Sequence, residues 1–459
     1  MSRIMTMRST ASSPVFLSRL AALLLALVFV LFAWQARAVE IQTVTSPGGI
    51  KAWLVRDTST PIISMSFAFK GGTALDPEGK DGTARLMAGL LDEGAGPYDG
   101  VQFHRKLDDI SARFSMSVGL DNTVGSLRTL SGNRDAAFEL LRLALNEPHF
   151  DADAVERVRG QMRAIVREED GDAEHIASRT LVRAMFAGHP YVKEPNGTAQ
   201  TIAAITADDL RAAKRRLLVR DRLYVAVVGD VTPEALGTLL DHAFAGLPQS
   251  DSPIDVPSWP SADHPAPAGQ VIVVNRDIPQ SVVAFAEKGI KRDDPDWYIA
   301  YVMNYVLGGG GFSSRLTAEV REKRGLAYSL STGLSPYRAG GLIYGSVGTA
   351  NARVAKSIEL IRAEWARLAE KGITEQELAD AKTYLNGSFA LSFDSGSSIA
   401  SLLLTIEIEN LGIDYLDKRE ALIDKVTVAD VQRVAKRLID PANLVFVVVG
   451  KPVGVQSTN

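Results

Sequence analysis

Cysteine is absent from all 459 residues. Disulfides, thiolate metal sites, iron–sulfur clusters and cysteine nucleophiles are excluded together. Histidine is scarce, with six in the chain, so few imidazoles are available as ligands or general bases. Basic residues are not in excess: 50 Lys and Arg stand against 54 Asp and Glu, a formal charge of −4. A partner held through its phosphates needs the opposite balance, so no nucleic acid is expected. Beyond the N-terminus no apolar run approaches membrane-spanning length. What remains is globular usage, 46% hydrophobic and 23% charged, which excludes wholesale disorder. The length suits two or three domains.

Residues 1–38 read as a secretory signal. Arg3, Arg8 and Arg19 precede the apolar run Leu20–Trp34, and Ala36-Arg37-Ala38 puts small residues at the cleavage positions. Fifteen apolar residues rise about 22 Å as a helix, short of the ~30 Å hydrocarbon core. Cleavage is therefore expected, and the protein meets a membrane only if the signal is retained. Removing four arginines and no acids takes 50 basic residues to 46 against 54 acidic, a charge of −8. Export to the periplasm of a Gram-negative bacterium is expected, with a fold that needs no oxidising compartment.

The rest of the chain reads as one unit written twice. Ile205–Asp230 aligns without gaps on Val426–Lys451, with eight of 26 positions identical. Each segment is an amphipathic helix capped by Thr206 or Thr427, then a buried strand ending in Gly229 or Gly450. Phe138–Arg142 (FELLR) matches Ile358–Arg362 (IELIR), and Ser66–Gly72 (SFAFKGG) echoes Ala284–Ile290 (AFAEKGI). Between the copies, Pro248–Pro267 holds six of the twenty prolines, the composition of an extended connection. The expected organisation is a first half at 39–247, a linker at 248–268 and a second half at 269–459. The order of strands and helices predicts an α+β fold: two homologous α/β-sandwich halves, each a mostly antiparallel sheet with helices on one face. Met and Leu positions on Ala84–Leu91 and Ile299–Leu307 are expected in the core.

Further landmarks are Phe67–Gly72, His189-Pro190-Tyr191 followed by Gly197-Thr198, and Gly308–Tyr328 (GGGGFSSRLTAEVREKRGLAY). Their order and spacing resemble the pitrilysin/insulinase family of zinc metallopeptidases, in the style of its mitochondrial-processing-peptidase-like members, over nearly all of 39–451. Active members carry His-x-x-Glu-His on a first-half helix, two imidazoles on one face binding zinc while the glutamate polarises water. A further glutamate downstream completes the ligands. The matching segment here is Asp81–Gly96, read as a helix, and its motif positions are Arg85, Ala88 and Gly89. The distal ligand falls near Ala164, with Glu168 and Glu169 close by. No thiolate or helical His pair exists elsewhere, and scattered residues such as His104, Glu168 and Glu169 make a poor alternative. The resemblance therefore implies a chain that binds no metal cofactor, with zinc in a homologous partner subunit that keeps His-x-x-Glu-His.

The second half keeps Arg321 and Tyr328, which match an arginine–tyrosine pair that the family turns toward the zinc. Gly325 is expected to end a helix and Tyr328 to begin the strand Tyr328–Gly333. In that role Arg321 bonds carbonyls of a peptide substrate and the Tyr328 hydroxyl donates to the oxyanion. Gly308, Gly309, Gly310 and Gly311 lack the Lys-Ser/Thr of a P-loop and read as a flexible loop near the substrate cavity. Ser395, Ser397 and Ser398 lack a nucleophile elbow and read as a loop and helix N-cap. The resulting expectation is a non-zinc-binding subunit of a heterodimeric peptidase; a peptide-holding or structural core-like subunit is the alternative.

Overall fold

The computed structural model describes residues 40–250, 253–267 and 269–458. The expected signal lies outside them. Thr43–Asn459 is one compact unit.

Two sheets organise it. The first contains β1 (Ile41–Thr45), β2 (Lys51–Arg56), β3 (Ile62–Lys70), β6 (Arg113–Val118), β7 (Asn122–Leu130) and β8 (Leu223–Gly229), in the order β1-β2-β8-β3-β7-β6. A small hairpin, β4 (Gly94–Ala95) with β5 (Tyr98–Asp99), stands apart. The second sheet contains β9 (Val271–Asn275), β10 (Gln280–Lys288), β11 (Ala327–Pro336), β12 (Gly341–Ala350) and β13 (Val445–Gly450), in the order β11-β12-β10-β13-β9. Read from β9, this repeats the first sheet from β2. β2 with β8 and β9 with β13 are parallel, whereas β3 and β10 pair antiparallel with both neighbours.

The repeat holds residue by residue. Ser66 of β3 faces Ser126 and Ala226, while Ala284 of β10 faces Ser346 and Val447. One position on, Phe67 lies opposite Gly125 and Phe285 opposite Gly345. Both glycines give up their side-chain space to the ring, since a Cβ would lie 2.5 Å from Phe67 Cε2 or 2.6 Å from Phe285 Cε2. The helices preceding β8 and β13 start with the same capping box, Thr206 with Asp209 and Thr427 with Asp430.

One face of each sheet packs on helices of its own half. Met65, Phe67 and Phe69 share a core with Phe138 and Leu141 of α3 (Arg134–Asn146). Val283, Phe285 and Phe446 share one with Ile361 and Trp365 of α10 (Val354–Lys371). The segments Ala84–Leu91 and Ile299–Leu307 supply buried Leu86, Met87, Leu91, Val302, Met303 and Leu307 to these cores.

The opposite faces are covered too, which corrects the expectation of helices on one face. Helix α5 (Ala173–Met185), from the first half, lays Ala177 and Leu181 on Ala284, Ala286, Val447 and Val449 of the second sheet. Helix α12 (Gly396–Ile408), from the second half, crosses β3 and β8. There Ser397 Oγ donates to Ser64 Oγ at 3.3 Å, and the Ser66 and Ser401 hydroxyls meet at 3.2 Å. The exchange explains why β13 is apolar at consecutive positions: each of its faces has a cover. Residues 253–267 form neither helix nor strand. They bury Trp259, whose backbone N–H donates to Ala339 O at 2.8 Å and whose ring lies 4.4 Å from that of Phe186.

Candidate functional site

In the first half the segment aligned with the zinc motif forms α1 (Thr83–Ala88), one and a half turns long. The expected helix over Asp81–Gly96 stops there: Gly89 is the C-cap, and the chain then bends through Gly94 and Gly96 at φ +129 and +56. Its N-terminus is held from a distance. Asp76 accepts from the Gly82 and Ala84 amides, each at 3.0 Å, satisfying donors the helix leaves open. Burial pushes the Asp76 carboxyl up to about 7, against those bonds and the nearby Arg216 and Lys193 charges.

Arg85 projects from α1 into a polar network. Its Nε donates to Val118 O at 3.2 Å, at the end of edge strand β6, and its Nη1 donates to Asn196 Oδ1. Asn196 Nδ2 donates to Glu169 Oε1 at 2.6 Å, and His175 Nδ1 lies 3.7 Å from the same oxygen. Burial lowers the Arg85 pKa, and the Glu169 charge opposes that shift. Ala88 is buried, and a Cβ at Gly89 would meet Val158 Cγ1 of α4 (Ala152–Gly171) at 3.4 Å. Ala164 also lies on α4 and is exposed. At 100° per residue Glu169 shares a side with Val158, whereas Ala164 is about 120° away. Zinc does not fit these positions. A guanidinium has no lone pair to donate, alanine and glycine have no side-chain ligand, and among the described residues no three His, Cys, Asp or Glu side chains gather as metal donors.

The other histidine landmark has a structural task. His189 is buried, accepts from Tyr191 N through Nδ1 at 3.2 Å and pairs through Nε2 with Pro257 O at 2.8 Å. Both ring nitrogens are used in closing the turn, and burial lowers its pKa. Ser395 caps α12, accepting from Ser398 N at 3.2 Å.

In the second half the glycine run starts inside a π-helical turn, Tyr305–Gly309, and continues past its end. Gly308 is buried against Thr332, Gly309 and Gly310 press on Asn304 and Tyr305, and Gly311 takes φ +57 with open space around it. Glycine is therefore required by close packing at the first three positions and by backbone conformation at the fourth. A second π-helical turn, Thr317–Glu322, carries Arg321. Its guanidinium carbon lies 4.7 Å from the ring of Phe312, which is 67% exposed. Arg324, the neighbouring cation, is engaged by Glu319 at 2.6 Å. No hydrogen bond or ion pair joins the Arg321 guanidinium to another described residue.

Gly325, at φ +60, donates its N–H to Arg321 O and ends the turn. The next strand is Ala327–Pro336, longer than expected at both ends. Tyr328 falls where the β11–β12 register skips, between Ala327 opposite Thr349 and Ser329 opposite Gly348. A bulge re-aims the side chain it carries, and Tyr328 is 64% exposed on an edge strand. No hydrogen bond, ion pair or ring contact joins Arg321 or Tyr328 to Arg85, Ala88, Gly89 or Ala164 among the described residues. Asn196 and Phe312 are additions from the structure, whereas Glu169 was already in view beside the distal ligand position. Asn196 directly precedes the Gly197-Thr198 landmark, the one signal that could have drawn attention to it.

Known proteins supply the remaining context. The family model described as insulinase (peptidase family M16) matches residues 51–198, and the model described as the peptidase M16 inactive domain matches 204–385. A Helicobacter pylori protein named as the non-peptidase homolog YmxG is 28% identical over 390 residues, covering 85% of this chain and 89% of its own. The mitochondrial-processing peptidase subunit beta of Lentinula edodes is 24% identical over 386 residues, covering 80% and 81%. A crystal structure of a peptidase M16 inactive domain from Pseudomonas fluorescens superposes with a TM-score of 0.84 at 27% identity, covering 92% of this chain and all of that one. With both halves matched in order and the whole architecture shared, the chain belongs to the insulinase family of peptidases, family M16.

Proposed function

We propose that this protein is the non-zinc-binding subunit of a heterodimeric M16 peptidase. A homologous partner supplies His-x-x-Glu-His and its zinc, and this chain contributes Arg321 and Tyr328 to a peptide held between them. The observation that carries the reading is an asymmetry. The positions matched to the metal motif hold Arg85, Ala88, Gly89 and Ala164, whereas Arg321 and an exposed Tyr328 stand in the second half with their polar groups uncommitted. A peptide carbonyl can accept from the Arg321 guanidinium, and a tetrahedral oxyanion from the Tyr328 hydroxyl. Of the glycines Gly308, Gly309, Gly310 and Gly311 that precede Phe312, the last has open space beside it, and we place the peptide there. The expected signal at 1–38 supports export of this chain to the periplasm.

The test is co-expression with an exported chain of similar length that carries His-x-x-Glu-His, followed by assay on an unstructured peptide. Tyr328→Phe should lower turnover about 10²–10³-fold with assembly unchanged. Wild-type turnover in that variant refutes the catalytic role. A second reading, a peptide-holding scaffold without turnover, is favoured by the name of the Helicobacter relative. It is recognised by peptide binding without cleavage by any such pair.

A further inference from the structure

At the junction of the two halves lies a cavity of about 1020 Å³, lined by none of the residues considered above as catalytic or metal-matched. Its size suits a small molecule or short peptide. Arg292 stands in its wall inside a frame of three rings. Its guanidinium carbon is 4.8 Å from the Trp297 ring centroid, 5.2 Å from Tyr298 and 5.9 Å from Tyr415. Nη2 donates to the Tyr298 and Tyr415 hydroxyls at 3.1 and 3.3 Å. The frame fixes the guanidinium plane without using Nε or Nη1, and among the described residues no carboxylate forms an ion pair with Arg292.

The carboxylates in the same wall are mostly engaged. Asp121 accepts from Tyr191 Oη at 2.7 Å and from Arg338 N at 3.0 Å. Asp294 pairs with Arg437 at 2.6 Å, and Asp293 sits 3.7 Å from Lys291. Glu409 makes no ion pair; burial pushes its pKa up, while Arg292 and Lys70 act the other way. Lys70, stacked 4.8 Å over Tyr224, also lines the cavity without a carboxylate partner. The wall thus presents two cations without ion-pair partners and one unpaired carboxyl, beside the apolar surface of Trp297, Ile408 and Leu411. With Nη2 taken by the two hydroxyls neither two-nitrogen edge of the guanidinium is free, and a carboxylate oxygen accepts a single charge-assisted hydrogen bond from Nη1 or Nε.

We infer that this cavity binds a carboxylate-terminated apolar ligand, the C-terminus of a short peptide, with Arg292 gripping the carboxylate and the Trp297 wall receiving the neighbouring side chain. The site is independent of any partner subunit, so its test uses the single chain. Binding is followed by tryptophan fluorescence and calorimetry for N-acetyl-Ala-Ala-Phe as the free acid, for its C-terminal amide, and for N-acetylphenylalanine. The free acid should bind at least about tenfold more tightly than the amide, and Arg292→Gln should erase that preference while Arg292→Lys keeps part of it. Tighter binding of the tripeptide acid than of N-acetylphenylalanine supports a peptide end; equal binding of those two overturns the peptide assignment. Equal binding of acid and amide, or none at millimolar concentration, overturns the site itself, and that comparison requires no variant.

Discussion

The matched glycines opposite Phe67 and Phe285 give a test of the duplication that needs no activity. In Gly345→Ala the new methyl would lie 2.6 Å from Phe285 Cε2 and 2.7 Å from Ser331 O. Carbon atoms rest at about 3.5–4.0 Å, so the ring must move by roughly 1 Å. It has little freedom to do so. Phe285 is fully buried, with Trp365 and Phe446 each 5.6 Å away. Overpacking of this kind costs about 1–3 kcal/mol. Loss of glycine entropy in the unfolded chain returns about 0.4–1 kcal/mol, leaving a net loss of about 1–2 kcal/mol. In Gly125→Ala the methyl would lie 2.5 Å from both Phe67 Cε2 and Met116 Sδ. A thioether yields more easily than a backbone carbonyl, so Gly345→Ala should be the costlier of the two. Urea unfolding followed by circular dichroism and tryptophan fluorescence measures both. The same glycine substitutions in Phe67→Leu and Phe285→Leu backgrounds complete two double-mutant cycles, each with a coupling of about 1 kcal/mol. Neutral alanine variants, or penalties unchanged when the ring is gone, would refute the reasoning.

Two further outcomes are expected. Glu287 is buried, accepts from Trp365 Nε1 at 2.5 Å and from Asp440 N at 3.1 Å, and burial pushes its pKa up to about 8. The folded chain then holds a proton that the unfolded chain has released. This contribution to stability is complete below the ordinary glutamate range and is lost as pH rises toward about 8, a matter of a few kcal/mol. The stability of the wild type relative to Glu287→Gln should therefore fall from about pH 5 to 8, and a difference flat in pH defeats the argument. Trp259→Ala should cost about 3–5 kcal/mol through the cavity left against Phe186; a loss under about 0.5 kcal/mol would show that the proline-dense segment does not stabilise the junction of the halves.

Much of the architecture could be read from the chain because duplication doubles every signal. The caps at Thr206 and Thr427, the strand ends at Gly229 and Gly450 and the FELLR and IELIR helices each appear twice in the same order, and the sheets repeat them in register. The exchange of α5 and α12 was not legible. A run such as Val445–Val449 says that both faces are buried, not which helix covers the second one. The Arg85 network was hidden for a related reason: its members are up to 111 residues apart, and their pairing arises from the packing of α1, α4 and the Asn196 turn. Tyr328 was marked as a strand residue, but the bulge that turns it outward is a property of register against β12. Arg292 carried no motif at all, and its rings come from two separate segments.

The replacement at Arg85 bears on what the chain can do. A zinc ion supplies charge and also vacant coordination, which is how it lowers the pKa of a bound water and creates a nucleophile near neutrality. A guanidinium supplies only the charge. It holds its protons throughout the accessible pH range, donates to oxygen and activates no water. Here its Nε and Nη1 donate to Val118 O and Asn196, which tie α1 to the end of β6 and, through Glu169, to α4. The first half can therefore keep its local geometry without a metal, since the arginine bonds replace a crosslink that ligation would otherwise provide. Hydrolysis through such a site would need both a water-activating group and a place for the water, and the side chains at 85, 88 and 89 offer neither. The side chains at 85, 88 and 89 therefore supply no nucleophile for peptide cleavage. The groups this chain leaves uncommitted, Arg321 and Tyr328, are donors suited to polarising and holding a carbonyl rather than to attacking it.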